Sequence, residues 1–181
     1  MYQKLRKLLF LCFFMGIFSL YAFAKDSFYM LPYEQTIALN ALKNTLKNAQ
    51  SEIKISIYSF TYNDIAKILR DSAKRGVRVY IIYDKESNMN NNASTLGYLA
   101  KYNNISVCLL SGMRAKNKNY YGIMHQKMAI VDKKTLILGS ANWSKNAFEN
   151  NFETLLISHN EDFVAKALQG YDKMMSACVQ F

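Results

Sequence analysis

Proline is almost missing from this chain: its 181 residues hold one, with only seven glycines, which excludes a collagen-like or Pro-rich linker architecture. Cysteine is scarce as well. Three residues with no C-x-x-C pair exclude a disulfide-stapled miniprotein and a zinc ribbon. Acidic residues are outnumbered, 13 Asp+Glu against 23 Lys+Arg, and charged residues make up only 20% of the chain. What is present instead is apolar: 51% of the residues, too many for a disordered basic tail and enough for one domain with a sizeable core. The formal charge of +10 points to an anionic partner, either nucleic acid or a lipid surface.

Lys4, Arg6 and Lys7 precede seventeen uncharged residues, Leu8 to Ala24, which end in Ala22-Phe23-Ala24. A basic start, an apolar run and a small-x-small ending predict a secretory signal peptide over residues 1–24. Seventeen residues also lie near the lower limit for spanning a bilayer. An uncleaved anchor, with membrane association through residues 8–24, therefore stands beside cleavage. Either way the protein is expected to be exported, periplasmic or anchored facing the periplasm or exterior, with residues 25–181 as a single domain. That domain keeps Cys108 and Cys178, both in apolar runs. Two buried thiols are expected in preference to a bridge, which would require a close approach of their Cα atoms.

Apolar spacing predicts a helix over 33–49, a strand through Ile53, Ile55 and Ile57, and a second helix over 65–73 stopped by Gly76. Val77 to Tyr83 reads as a strand with Asp84 at its carboxyl end, followed by a helix over about 93–102 and a strand over 105–110. The Asn-rich stretch 88–92 reads as a loop. Two further strands, 128–131 and 135–138, flank the tight connection Asp132-Lys133-Lys134. A strand over about 152–158 precedes a helix over 161–177 capped by Asn160. Helix and strand alternate first and strands cluster later, so an α/β fold is expected, a mixed β-sheet flanked by helices.

The chain has two histidines. His159, at a strand end beside Asn160, reads as a surface or capping residue. His125 opens a constellation running from His125 through Lys127, Asp132 and Gly139 to Ser140 and Asn142, in pattern form H-x-K-x4-D-x6-G-S-x-N. His125 and Lys127 are two apart on an expected strand and share a face, as do Ser140 and Asn142. If the two strands are neighbours, four polar side chains converge at one end of a sheet. An imidazole acts as nucleophile or proton shuttle near neutral pH. Lysine, serine and asparagine supply charge and directed hydrogen bonds to phosphoryl oxygens. No carboxylate cluster for Mg²⁺ and no His/Cys set for zinc accompany them, so no metal or cofactor is expected.

This segment resembles the HKD motif of the phospholipase D superfamily, in particular its small, single-motif bacterial endonucleases. The resemblance extends to Ile57-Tyr58-Ser59-Phe60-Thr61 with Asp64-Ile65, to Ala73-Lys74-Arg75-Gly76-Val77 and to Asn151-Phe152-Glu153, and covers nearly all of residues 25–181. It implies the phospholipase D/nuclease-like fold and a covalent phosphohistidine intermediate on His125. Lys127 and Asn142 would hold phosphate oxygens, with Ser140 supporting the pocket. Glu153 would bond the far nitrogen of the histidine, and Asp132 would be structural, stabilising the turn. A family member with one motif implies a homodimer, in which a second His125 serves as general acid.

The superfamily holds both nucleases and lipases, so the motif leaves the substrate open. Arg114, Lys116, Lys118, Tyr120 and Tyr121 directly precede His125 and suit a phosphate track with base-stacking platforms, alongside a plainer reading as a solvated loop with two core tyrosines. An exported endonuclease acting on DNA, with single strands and RNA as candidate substrates, is the favoured reading. A membrane-tethered phospholipase is the alternative, disfavoured because the stretch before His125 reads as polar and basic rather than apolar. A non-catalytic DNA-uptake or binding protein is weaker still, since every catalytic position is filled. The charge divides accordingly: +3 in residues 1–24, +7 between Lys101 and Lys145, and zero elsewhere.

Overall fold

In the computed structural model, residues 25–116 and 119–181 are described. The expected signal segment, residues 1–24, lies outside them, as does Lys118. Fourteen elements follow one another. They are β1 (Ser27–Leu31), α1 (Gln35–Lys47), β2 (Glu52–Ile57), α2 (Asn63–Lys74), β3 (Arg78–Asp84), α3 (Lys85–Met89), α4 (Leu96–Leu99), β4 (Ile105–Leu110), β5 (Lys127–Val131), β6 (Thr135–Gly139), α5 (Lys145–Glu149), β7 (Glu153–Ser158), α6 (Glu161–Ala177) and β8 (Val179–Gln180).

The eight strands form one sheet in the order β1-β7-β6-β5-β2-β3-β4-β8. The pairs β2/β3 and β3/β4 are parallel, and every other pair is antiparallel. This is the expected mixed sheet. On one face Ile53, Ile55 and Ile57 of β2 join Val79, Ile81, Ala129 and Ile137 beneath Leu42 and Leu46 of α1 and Ile65 and Leu69 of α2. On the other, Val164 and Tyr171 of α6 pack over Ile82, Cys108, Ile130 and Leu136. Helices on both faces explain why β2 is buried along its length rather than half exposed.

Local chemistry sets the boundaries. Gly76, at φ +98°, takes the left-handed turn that ends α2, and the Val77 N–H reaches back to the Ser72 carbonyl at 3.1 Å. Asn160 caps α6 by accepting the Phe163 N–H at 3.1 Å, with Glu161 and Asp162 in the first turn.

Three expectations are corrected. The helix expected over 93–102 is confined to the single turn α4, because the side chain of Thr95 is drawn inward to the Phe60 carbonyl and the Tyr83 hydroxyl. Asn88, read as part of a loop, sits on α3 and is buried. Cys108 and Cys178, expected as thiols, are joined as a disulfide with Cα atoms 5.8 Å apart, which ties the segment after α6 to β4. Edge strands β1 and β8 were not expected from the sequence. Among the described residues no helix is long and apolar enough to cross a membrane.

Candidate active site

Strand direction decides which residues can meet. Parallel β2 and β3 end together, and antiparallel β5 starts beside the end of β2, with Ile57 paired to Lys127. β6 runs back to that same end and β7 starts from it, since both of their pairings are antiparallel. The residues after β2, before β5, after β6 and at the start of β7 therefore share one end of the sheet. These are Tyr58, His125, Ser140, Asn142 and Glu153, with Lys127 as the first residue of β5.

Lys127 is only 7% exposed, and its ammonium lies 3.0 Å from His125 Nε2 and 2.9 Å from the His125 carbonyl. An ammonium only donates, so Nε2 accepts and the proton of a neutral ring resides on Nδ1. That bond occupies the single Nε2 lone pair, so the ammonium must shift before this nitrogen can act as a nucleophile. Burial lowers the Lys127 pKa from its ordinary value, and the Glu153 carboxylate opposes that shift. Tyr58 forms a wall behind both: its ring meets the imidazole edge-on at 4.5 Å between centroids, and Lys127 Nζ stands 5.1 Å over it. In the sequence Tyr58 enters only through a resemblance, and its place against His125 carries no signal in spacing.

Ser140 and Asn142 follow β6 through Gly139. A Cβ at Gly139 would collide with the Thr154 carbonyl of β7, so the glycine permits the close approach that brings Ser140 to Glu153. The Ser140 hydroxyl donates to Glu153 Oε2 and accepts the Thr154 N–H at 3.0 Å. Asn151 Nδ2 approaches Glu153 Oε1 at 3.4 Å. Within one chain Glu153 therefore bonds Ser140 and Asn151, and the implied bond to His125 is not made. Asn142 Oδ1 is buried without a hydrogen-bond partner among the described residues.

Asp132 sits at the opposite end of β5. Its carboxylate accepts the N–H groups of Gln50, Ser51 and Glu52 and the Ser51 hydroxyl at 2.8–3.0 Å. Burial alone would raise its pKa, but these donors outweigh it and hold the carboxyl below the ordinary value. His159 is a side partner of Thr135, with ring Nδ1 3.2 Å from the hydroxyl.

Residues before His125 form a hairpin, with Gly112 N–H bonded to the Gly122 carbonyl at 2.8 Å and Arg114 bridged to Tyr121. Arg114 donates to Asn119 Oδ1 at 3.0 Å, and Lys116, Tyr120 and Tyr121 are exposed. The tyrosines are thus not core residues. The hairpin is also less polar than its sequence suggests, since Met113 is 91% exposed and Ile123 is exposed beside it. Apolar surface therefore does lie next to the motif, contrary to the expectation of a purely polar and basic approach.

A family model described as cardiolipin synthase, PLD-like domain, matches residues 42–175. Among solved structures, NucT from Helicobacter pylori is 56% identical, with a TM-score of 0.85 over 87% of this chain and 99% of its own. The phospholipase D family member Nuc from Salmonella typhimurium is 26% identical, with a TM-score of 0.72 over 87% and 97%. The mitochondrial cardiolipin hydrolase of Canis lupus familiaris is 32% identical over 144 residues, 80% of this chain. The chain spans about half the length of that relative, 52%. With the motif gathered at one sheet end and likeness running through the whole described domain, the chain belongs to the phospholipase D superfamily.

Proposed function

We propose that the protein is an exported, metal-independent endonuclease acting on DNA, with preference for single strands and with RNA as a further substrate. The paired stretches 112–115 and 120–122 carry this choice, because with Lys116 they set Arg114, Tyr120 and Tyr121 just ahead of His125 in the chain. Likeness to NucT and Nuc supports it. His125 Nε2 attacks phosphorus and the P–O bond to one nucleotide breaks. The leaving oxygen takes a proton from a protonated second His125 in a homodimer. Water then attacks the phosphohistidine, gives its proton to that second imidazole, and frees His125 and a phosphate monoester. Lys127 and Asn142 hold the non-bridging oxygens.

Within one chain Glu153 bonds Ser140 and Asn151 and makes no bond to His125; in the proposed dimer each Glu153, while keeping those bonds, also reaches the histidine of the partner copy. An uncovered apolar strip, Phe28 and Met30 on β1 with Leu138 on β6, supports such pairing. The Cys108–Cys178 disulfide supports export, since such bridges persist in oxidising compartments. One observation favours a second reading, a membrane-tethered phospholipase: Met113 and Ile123 expose apolar surface on the same hairpin.

Incubation of the purified protein in EDTA with single-stranded DNA, duplex DNA, RNA and phospholipid vesicles tests the choice. Cleavage of single strands in EDTA, abolished by His125→Ala, is expected, with a bell-shaped pH–rate profile from the imidazole pair. Headgroup release with intact nucleic acid selects the lipid reading. Full loss in EDTA, restored by Mg²⁺, rejects the metal-free chemistry.

A further inference from the structure

His125 belongs to no strand. It lies between Met124 and Lys127 on a short segment leading into β5, and nothing in the sheet ladder sets its direction. Its neighbours are nevertheless held. The Met124 N–H donates to Asp84 Oδ2 at 2.9 Å, and the Gln126 carbonyl accepts the Tyr58 N–H at 2.8 Å. The Gln126 side chain also accepts the Ser56 hydroxyl at 2.8 Å.

Asp84 ends β3 and is 1% exposed. Its other oxygen accepts the Ser87 N–H at 3.0 Å and caps α3. On that helix Asn88, 2% exposed, donates from Nδ2 to the carbonyls of both Asp84 and Tyr58, at 2.8 and 2.7 Å, and accepts the Ser94 hydroxyl. Every polar atom of these two side chains is thus bonded: to Met124 beside the histidine, to the Tyr58 backbone, to the turn that carries them, or to Ser94. A buried carboxylate and a buried amide are costly to keep unless fully bonded; here Asp84 bonds the segment that carries His125, and Asn88 bonds the Tyr58 backbone that flanks it.

We infer that Asp84 and Asn88 form a bracket that fixes the direction of the His125 ring, Asp84 by holding Met124 and Asn88 by holding the Tyr58 backbone whose ring meets the imidazole. They are positioning residues, touching no substrate, and the inference rests on the reading of His125 as nucleophile. In-line attack tolerates little error, and displacement of a reacting nitrogen by about 1 Å can cost on the order of a hundredfold in rate.

Asp84→Asn is the informative change. One amide oxygen cannot serve both the Met124 and Ser87 N–H groups, and the new NH₂ faces a donor. With the full chain and bis(p-nitrophenyl) phosphate as probe, kcat is expected to fall about tenfold or more while KM moves less than about twofold. A second readout needs no turnover. Tyr58 shifts the carbon-bound protons of the His125 ring by its ring current, and only two histidines have to be assigned. In D84N those resonances should move toward free imidazole, and Asn88→Ala should move them the same way if D84N is too unstable to study. Wild-type kcat and unmoved His125 resonances in either folded variant would overturn the bracket. Loss of the underlying reading appears separately, as turnover that survives His125→Ala.

Discussion

Replacing Asp132 with Asn tests whether the third motif residue is an anchor or part of the chemistry. The change preserves size, and Asn tolerates the left-handed backbone there, φ +52°, so it isolates the carboxylate. Four donors converge on that carboxylate from Gln50, Ser51 and Glu52. A hydrogen bond to a charged group contributes about 1.5–3 kcal/mol, but bonds in one cluster are not additive, and the amide retains one acceptor oxygen. The estimated net loss is about 2–3 kcal/mol, equivalent to roughly 5–10 °C in Tm for a domain of this size. The carboxyl pKa is lowered in the fold, so its stabilisation is present above the unfolded value and fades as pH falls through the folded one. The Tm gap between wild type and D132N should therefore be full at pH 7 and shrink below about pH 4. Five strand steps, about 16 Å, separate Asp132 from Lys127, so kcat measured well below Tm should stay near wild type. Thermal scans across pH with a phosphodiester assay check both. A Tm within about 2 °C of wild type, or a tenfold fall in kcat in the folded variant, would refute the anchoring role.

Two further outcomes follow from the site and the bridge. Burial lowers the Lys127 pKa, so KM for an anionic substrate should rise with pH at lower values than for an ordinary lysine; Glu153→Gln, by removing the opposing carboxylate, should move that limb lower still. An unchanged limb in that variant would contradict the electrostatic link. Reduction of Cys108–Cys178, which spans 70 positions, should cost about 4 kcal/mol by loop entropy, and Cys108→Ser should lower Tm as much as dithiothreitol does. A Tm indifferent to reductant would show that the bridge is not made in solution.

The contact of His125 with Lys127 was legible in the sequence from their spacing of two, and the return of Ser140 to the same sheet end from the three-residue turn that joins β5 and β6. Strands with inward β-branched runs, such as β3 and β4, were legible for a similar reason. β1 was not, since Phe28 and Met30 point outward and leave little inward signal. β8 has two residues and exists by pairing with Cys108 and Leu109. Asp84, Asn88 and Tyr58 gave no local sign of their place around His125, because only the order β5-β2-β3 brings residues 40 positions apart, such as Asp84 and Met124, into contact. Glu153 was legible as an acid near the site but not in its partners, which depend on the approach of two backbones at Gly139.

The four residues between Lys127 and Asp132 act as a ruler. Asp132 is clamped to the loop before β2, and the length of β5 separates that clamp from Lys127 and His125. The pleat reverses sides at each step, so deleting one residue from Met128–Val131 would leave the clamp intact and turn Lys127 and His125 toward the α6 face. Inserting one would do the same, and either change would shift Lys127 off its pairing with Ile57. The spacing of the motif is therefore a demand of strand geometry, and tolerance to substitution within Met128–Val131 should far exceed tolerance to a change in their number.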